Sequence, residues 1–136
     1  LDKEKMVNTF LTENSLQEGE NLLEVLDENG LNVRAALWLY MQEAELWRYI
    51  LSVEELEKKG PKHSYELMQK IINDNKNPDT PLPQLDEIKL VKYDEELLTI
   101  LRRIVRTESK SIACLRVKNN MIDGYFIADA LIYRLT

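Results

Sequence analysis

The sequence predicts an α+β fold, a mixed sheet of about five strands (two hairpins plus a short strand) packed by helices in the order α-α-β-β-α-β-α-β-β. Three observations lead there. Asn32 to Val53, NVRAALWLYMQEAELWRYILSV, holds both tryptophans and separates its side chains at period two. Leu97, Leu98, Leu101, Ile104 and Val105 recur at helical spacing, and the residues up to Leu135 are rich in β-branched and aromatic side chains.

Lys3 to Thr12 places Met6, Val7, Phe10 and Leu11 on one stripe, predicting a short helix that Glu13-Asn14 interrupts. Ser15 and Glu18 have capping-box spacing, so a second helix is expected from Leu16 to Glu28, closed by Asn29-Gly30.

Propensity alone would make Leu31 to Lys58 helical, yet on a helix Asn32, Arg34, Gln42, Glu43, Glu45, Arg48 and Ser52 scatter around the axis. As a strand, Val33, Ala35, Leu37, Leu39 and Met41 form an aliphatic face, and Arg34, Ala36, Trp38, Tyr40 and Gln42 form the other. A loop at Gln42 to Glu45 pairs Trp38 with Tyr49, Tyr40 with Trp47, Leu37 with Ile50 and Met41 with Leu46. Arg48 then falls opposite Leu39, which suggests an edge, a bulge or another register.

Gly60-Pro61 breaks the polar segment that follows, and Pro61 suits the first position of a helix to Asn73 with the stripe Tyr65, Met68, Ile71 and Ile72. Asn73 to Pro83, with three of the four prolines, is an expected surface loop. Glu87 to Tyr93 reads as a short strand, and Asp94 caps the next helix, whose stripe runs from Leu97 to Val105. Ser111 to Val117 and Met121 to Leu135 form a second hairpin around Lys118-Asn119-Asn120, with Asp123-Gly124 as a competing turn. A terminal helix is the alternative for the last segment. The strand reading places Tyr125, Ile127, Leu131 and Tyr133 on one face with Asp129.

The composition, 44% hydrophobic and 31% charged over 136 residues, is that of one globular domain spanning residues 1–136. Residues 1–30 hold eight carboxylates against two lysines, so the formal charge of −6 resides in this acidic N-terminal helical segment and the body, residues 31–136, is balanced. That argues against a general nucleic-acid binder, whose affinity rests on excess Lys and Arg. Cys114 and His63 are single representatives of their types, which excludes an internal disulfide and any Cys/His metal set. With no signal-peptide pattern in LDKEKMVNTF and no membrane-spanning run, a cytoplasmic protein is expected.

Pro78-Asp79, seven residues, then Glu87-Ile88-Lys89 is the sharpest motif. It resembles the catalytic pattern of the restriction-endonuclease-like nucleases. The resemblance implies that Asp79 and Glu87 hold a divalent metal while Lys89 helps activate water. Pro81 and Pro83 in the connection, and the expected loop around Asp79, depart from that family's pattern. His63 is expected in solvent, Cys114 as a small core residue, and Asp123 as turn chemistry. Arg102, Arg103, Arg106, Lys110, Arg116 and Lys118 form a basic cluster near Tyr125 and Tyr133, which complements the end of its helix or receives an anion.

The reading that follows is a non-enzymatic protein-interaction or ligand-binding module without cofactor or metal. Its partner is another protein or a second copy, and its candidate binding residues are Trp38, Tyr40, Trp47 and Tyr49, although large aromatics on a sheet face are more often core under a helix. The alternative is the metal-dependent nuclease using Asp79, Glu87 and Lys89.

Overall fold

The computed structural model describes residues 11–136. The expected helix Lys3 to Thr12 lies outside them except for Leu11 and Thr12, which are not helical. The first described helix, α1 (Glu13–Glu28), begins earlier than Leu16 because Thr12, not Ser15, caps it: the Thr12 hydroxyl accepts from the Ser15 amide at 3.0 Å. Glu13 and Asn14 therefore open a helix instead of interrupting one. At the other end Gly30 takes a φ of 77°, and the Gly30 and Leu31 amides donate to Asp27 and Leu26, the paired bonds of a left-handed helix stop.

Five strands form one mixed sheet in the spatial order β3-β2-β1-β5-β4. The first hairpin, β1 (Val33–Met41) and β2 (Leu46–Val53), has the predicted register, with Trp38 opposite Tyr49, Tyr40 opposite Trp47 and Arg48 opposite Leu39. Between Val33 and Ala35 the register shifts, and this bulge turns Val33 away from Ala35, Leu37 and Leu39 to the other face. The helix α2 (Glu54–Asn75) starts directly after β2 and breaks at Gly60 (φ 83°, ψ 173°), so Pro61 opens its second segment. A short 3-10 turn at Leu85–Glu87 leads into β3 (Ile88–Leu90), which is shorter than expected and lies parallel to β2.

The helix α3 covers only Glu96–Leu101, although the apolar stripe continues to Val105. Arg102 ends it by tertiary contact: its guanidinium donates to the Thr136 carbonyl (2.9 Å) and to the Tyr93 carbonyl (2.8 Å). The chain must then reach β5, where the Thr107 amide bonds Leu135, and Ile104 is left exposed. The last hairpin, β4 (Leu115–Ile122) and β5 (Tyr125–Leu135), turns at Asp123-Gly124 and not at Lys118 to Asn120. Both turn residues have positive φ, 50° and 82°, which matches the strand twist in a two-residue hairpin. Asn119 also has positive φ (49°) but sits inside β4.

Each face of the sheet carries its own core. On one face α1 and α2 cover Ala36, Trp38, Tyr49, Leu51, Leu131 and Tyr133. On the other, Val91 and α3 cover Leu37, Leu39, Ile50, Ile127, Ala130 and Ile132. Ile127 and Leu131 thus face opposite ways, against the single face expected for Tyr125 to Tyr133. The alternation slips by one residue in both strands between the pairs Val117–Ala130 and Asn120–Ile127, at Asn119.

Docking of α1 onto the sheet is specific. Trp38 Nε1 donates to the Ser15 carbonyl (3.1 Å), the Tyr133 hydroxyl to Leu16 (2.7 Å) and the Tyr49 hydroxyl to Gly19 (2.9 Å). Gly19 is where the helix backbone meets the rings: a Cβ there would lie 2.6 Å from both Trp38 Nε1 and Tyr133 Oη. Alanine would gain about 1 kcal/mol of helix propensity and lose about 3 by overpacking against rigid rings. Gly19→Ala should therefore destabilise the protein by about 2 kcal/mol in urea unfolding, and an unchanged midpoint would refute the close approach.

Burial pushes the Tyr49 phenol well above its ordinary value, with Tyr133 adding to the effect, and burial likewise raises Tyr133 strongly. The unfolded chain ionises both near pH 10 while the folded chain keeps them protonated, so their contribution is intact below that pH and lost above it. Tm should fall as the pH is raised above about 10, and Tyr49→Phe with Tyr133→Phe should flatten the fall.

Candidate functional site

The residues of the nuclease-like motif stay apart in role. Asp79 is exposed at the tip of a turn closed by an Asn77–Thr80 bridge, and its amide is held by Asn77 Oδ1 at 2.8 Å. The Glu87 carboxylate is spent on the Gln84 amide (3.1 Å) in the capping box of the 3-10 turn. Lys89 is exposed on β3, between the buried Ile88 and Leu90. Among the described residues no group of three or more His, Cys, Asp or Glu side chains could hold a metal ion. Asp79 thus lies in the proline-rich loop expected for it, on a turn separate from the 3-10 turn that uses Glu87.

The other candidates fall equally into local roles. His63 is exposed on α2. Cys114 is exposed as well, not a core residue, because the strand it was expected to join begins only at Leu115. Asp123 pairs with Arg103 beside the turn, and Asp129 is buried in a bidentate pair with Arg116 (2.5 and 2.6 Å). These pairs divide the predicted basic cluster, and Tyr133 lies in the core beneath α1.

The aromatic face divides too. Trp38 and Tyr49 are fully buried and meet edge-on, with centroids 5.1 Å apart at 85°. Tyr40 and Trp47 pair at 5.4 Å and are half-buried beyond the reach of α1. Trp47 Nε1 is buried without a hydrogen-bond partner. Tyr40 belongs to a second feature, a split between the two hairpins. Pairing of β1 with β5 runs from Ala35–Leu135 to Leu39–Ala130 and ends there, although β1 continues to Met41 and β5 starts back at Tyr125.

The base of the split lies near the level where Asn119 breaks the alternation of β4 and β5, an irregularity of the kind that adds twist and bends the strand that carries it. Beyond that level the hairpin end is not paired with β1. The result is a cleft of about 500 Å³ lined by Leu39, Tyr40, Met41, Tyr125, Phe126 and Ile127, with Gln42 and Glu43 at its rim. Beside it Phe126 (44% exposed) stands opposite Met121 (64% exposed) as a cross-strand apolar pair left uncovered. Asp123-Gly124 taken as the turn would have placed Met121 against Phe126 from the sequence alone. The parting of β1 from β5 has no such signal.

Among the described residues no helix is long and apolar enough to cross a membrane. With Asp79 and Glu87 in separate local roles, magnesium and manganese at millimolar concentration should leave Tm unchanged, whereas a rise abolished by Asp79→Asn would restore the metal reading. Comparison with protein-family models, with curated proteins and with solved structures finds no match for this chain.

Proposed function

We propose that this chain is a non-enzymatic binding module that seats an extended segment of a partner protein in the split between its two hairpins. The observation that carries this reading is the end of β1–β5 pairing at Leu39–Ala130, which leaves the edge of β5 from Tyr125 onward facing an apolar cleft. An extended segment there can bond that edge through its main chain and place alternate side chains against Met41, Tyr125 and Ile127. The Met121–Phe126 pair extends the apolar surface beyond the cleft.

The outer edge of the sheet is less suited to strand addition. Arg116 and Lys118 lie along β4, and the positive φ of Asn119 interrupts the ladder that an added strand would need. At the opposite edge β3 offers only three residues.

Panning a library of unstructured decapeptides against the protein should enrich sequences with apolar residues at alternate positions. Phe126→Glu should weaken the selected peptides about tenfold or more without lowering Tm, since Phe126 is largely exposed. Peptides that bind the variant as well as the parent protein would remove this reading. If the segment comes from a second copy, light scattering will report a dimer that Phe126→Glu dissociates.

A further inference from the structure

A second cleft lies at the other end of β1, roughly 25 Å from the split for a strand of this length. It encloses about 490 Å³ between the end of α1, the start of β1, the end of β5, Tyr93 and the loop that carries Ser109 and Lys110. Its charged lining is Asp27, Arg34, Lys110 and Arg134. Three cations therefore face one carboxylate, and that carboxylate is already used. Arg134, only 1% exposed, holds Asp27 through both terminal nitrogens (2.8 and 2.9 Å) and donates its Nε to the Ser111 carbonyl.

Arg34 and Lys110 form no ion pair among the described residues. Arg34 lies over the Tyr93 ring at 4.7 Å, and Arg102 lies over the same ring at 4.0 Å, so two guanidinium groups share one aromatic. Nearby Glu54 acts on Arg34 only through space, because Lys58 (2.8 Å) and the Asn32 amide (2.8 Å) hold its carboxylate oxygens. Arg102 Nη2 is moreover buried with no hydrogen-bond partner. Burial depresses the Arg102 guanidinium below its ordinary value, Tyr93 opposes this, and Arg106 and Arg34 add smaller contributions in the direction of burial. Arg102 does not line the cleft, but Arg34 and Lys110 do, and an anion between them would offset their charge and gain charge-assisted hydrogen bonds.

We propose that this cleft binds the oxyanion group of a small molecule, a phosphate or a carboxylate, between Arg34 and Lys110, with the Ser109 hydroxyl as a further donor. Arg134 acts as the positioning residue: its pair with Asp27 ties α1 to β5 and fixes the cleft wall without spending Arg34 or Lys110. The site is independent of the split, which lies at the far end of β1.

Calorimetric titration of the full chain with inorganic phosphate and, separately, with citrate tests this, each at constant ionic strength against a sodium chloride control. Saturable binding of at least one is expected, and which of them binds tells phosphate from carboxylate. Arg34→Gln, at a half-buried position, and Lys110→Gln, at an exposed one, should each weaken that binding about tenfold, while Phe126→Glu leaves it unchanged. No binding beyond the chloride control, or equal binding in the Arg34→Gln/Lys110→Gln double variant, would overturn the proposal.

Discussion

The carbonyls of Ser15, Leu16 and Gly19, already bonded within the first turns of α1, accept second hydrogen bonds from Trp38, Tyr133 and Tyr49, which lie on the three central strands. Each such bond contributes about 1 kcal/mol net, but leaving any one of the buried donors unmade would cost more, so the three act as a geometric key. The key needs the helix backbone within reach of the rings, and only a residue without a side chain allows that at position 19. One helix is thereby held to β1, β2 and β5 in a single orientation, and the aromatic pair Trp38–Tyr49 becomes core.

That central clamp explains why the surface features lie at the ends of β1. Beneath α1 the central strands are fully covered, with register shifts at Val33/Ala35 and Ala36/Leu37 in their pairing. Beyond Leu39 the pairing of β1 with β5 ends, at the level where a left-handed residue breaks the alternation of β4. At the opposite end the Arg134–Asp27 pair fastens the last turn of α1 to β5, and Arg34 and Lys110, which form no ion pair among the described residues, gather around it. A fastening of this kind is not strong evidence of stability, because desolvation of both charges offsets much of their attraction. Its consequence is positional: the cationic wall has one geometry.

Much of the fold was legible because it rests on local patterns. The register of the first hairpin follows from loop length and alternation, so Trp38–Tyr49 and Tyr40–Trp47 could be read directly. Pro61 opened its segment as its fixed φ requires. The misreadings share another character. Thr12 displaced Ser15 as the cap, Leu101 rather than Val105 ended α3, and Asp123-Gly124 took the turn from Lys118 to Asn120, each where two local signals competed and a distant contact or the strand twist chose between them. Of the sites, Asp79, Glu87 and Lys89 were visible as a spacing and dispersed in space, whereas Met121, Phe126 and Arg34 carried no motif at all.

The sequence by itself determined the class of fold, the order of its elements and which strands pair within each hairpin, since periodicity and turn chemistry act over a few neighbouring residues. It also determined that large aromatics would gather on one face of the first hairpin. Only the tertiary structure decided which of them α1 would bury, where β1 and β5 would part, and which cations would meet at one cleft. Those outcomes depend on groups far apart in the chain, such as Gly19 with Tyr133 and Asp27 with Arg134, whose meeting no local pattern records.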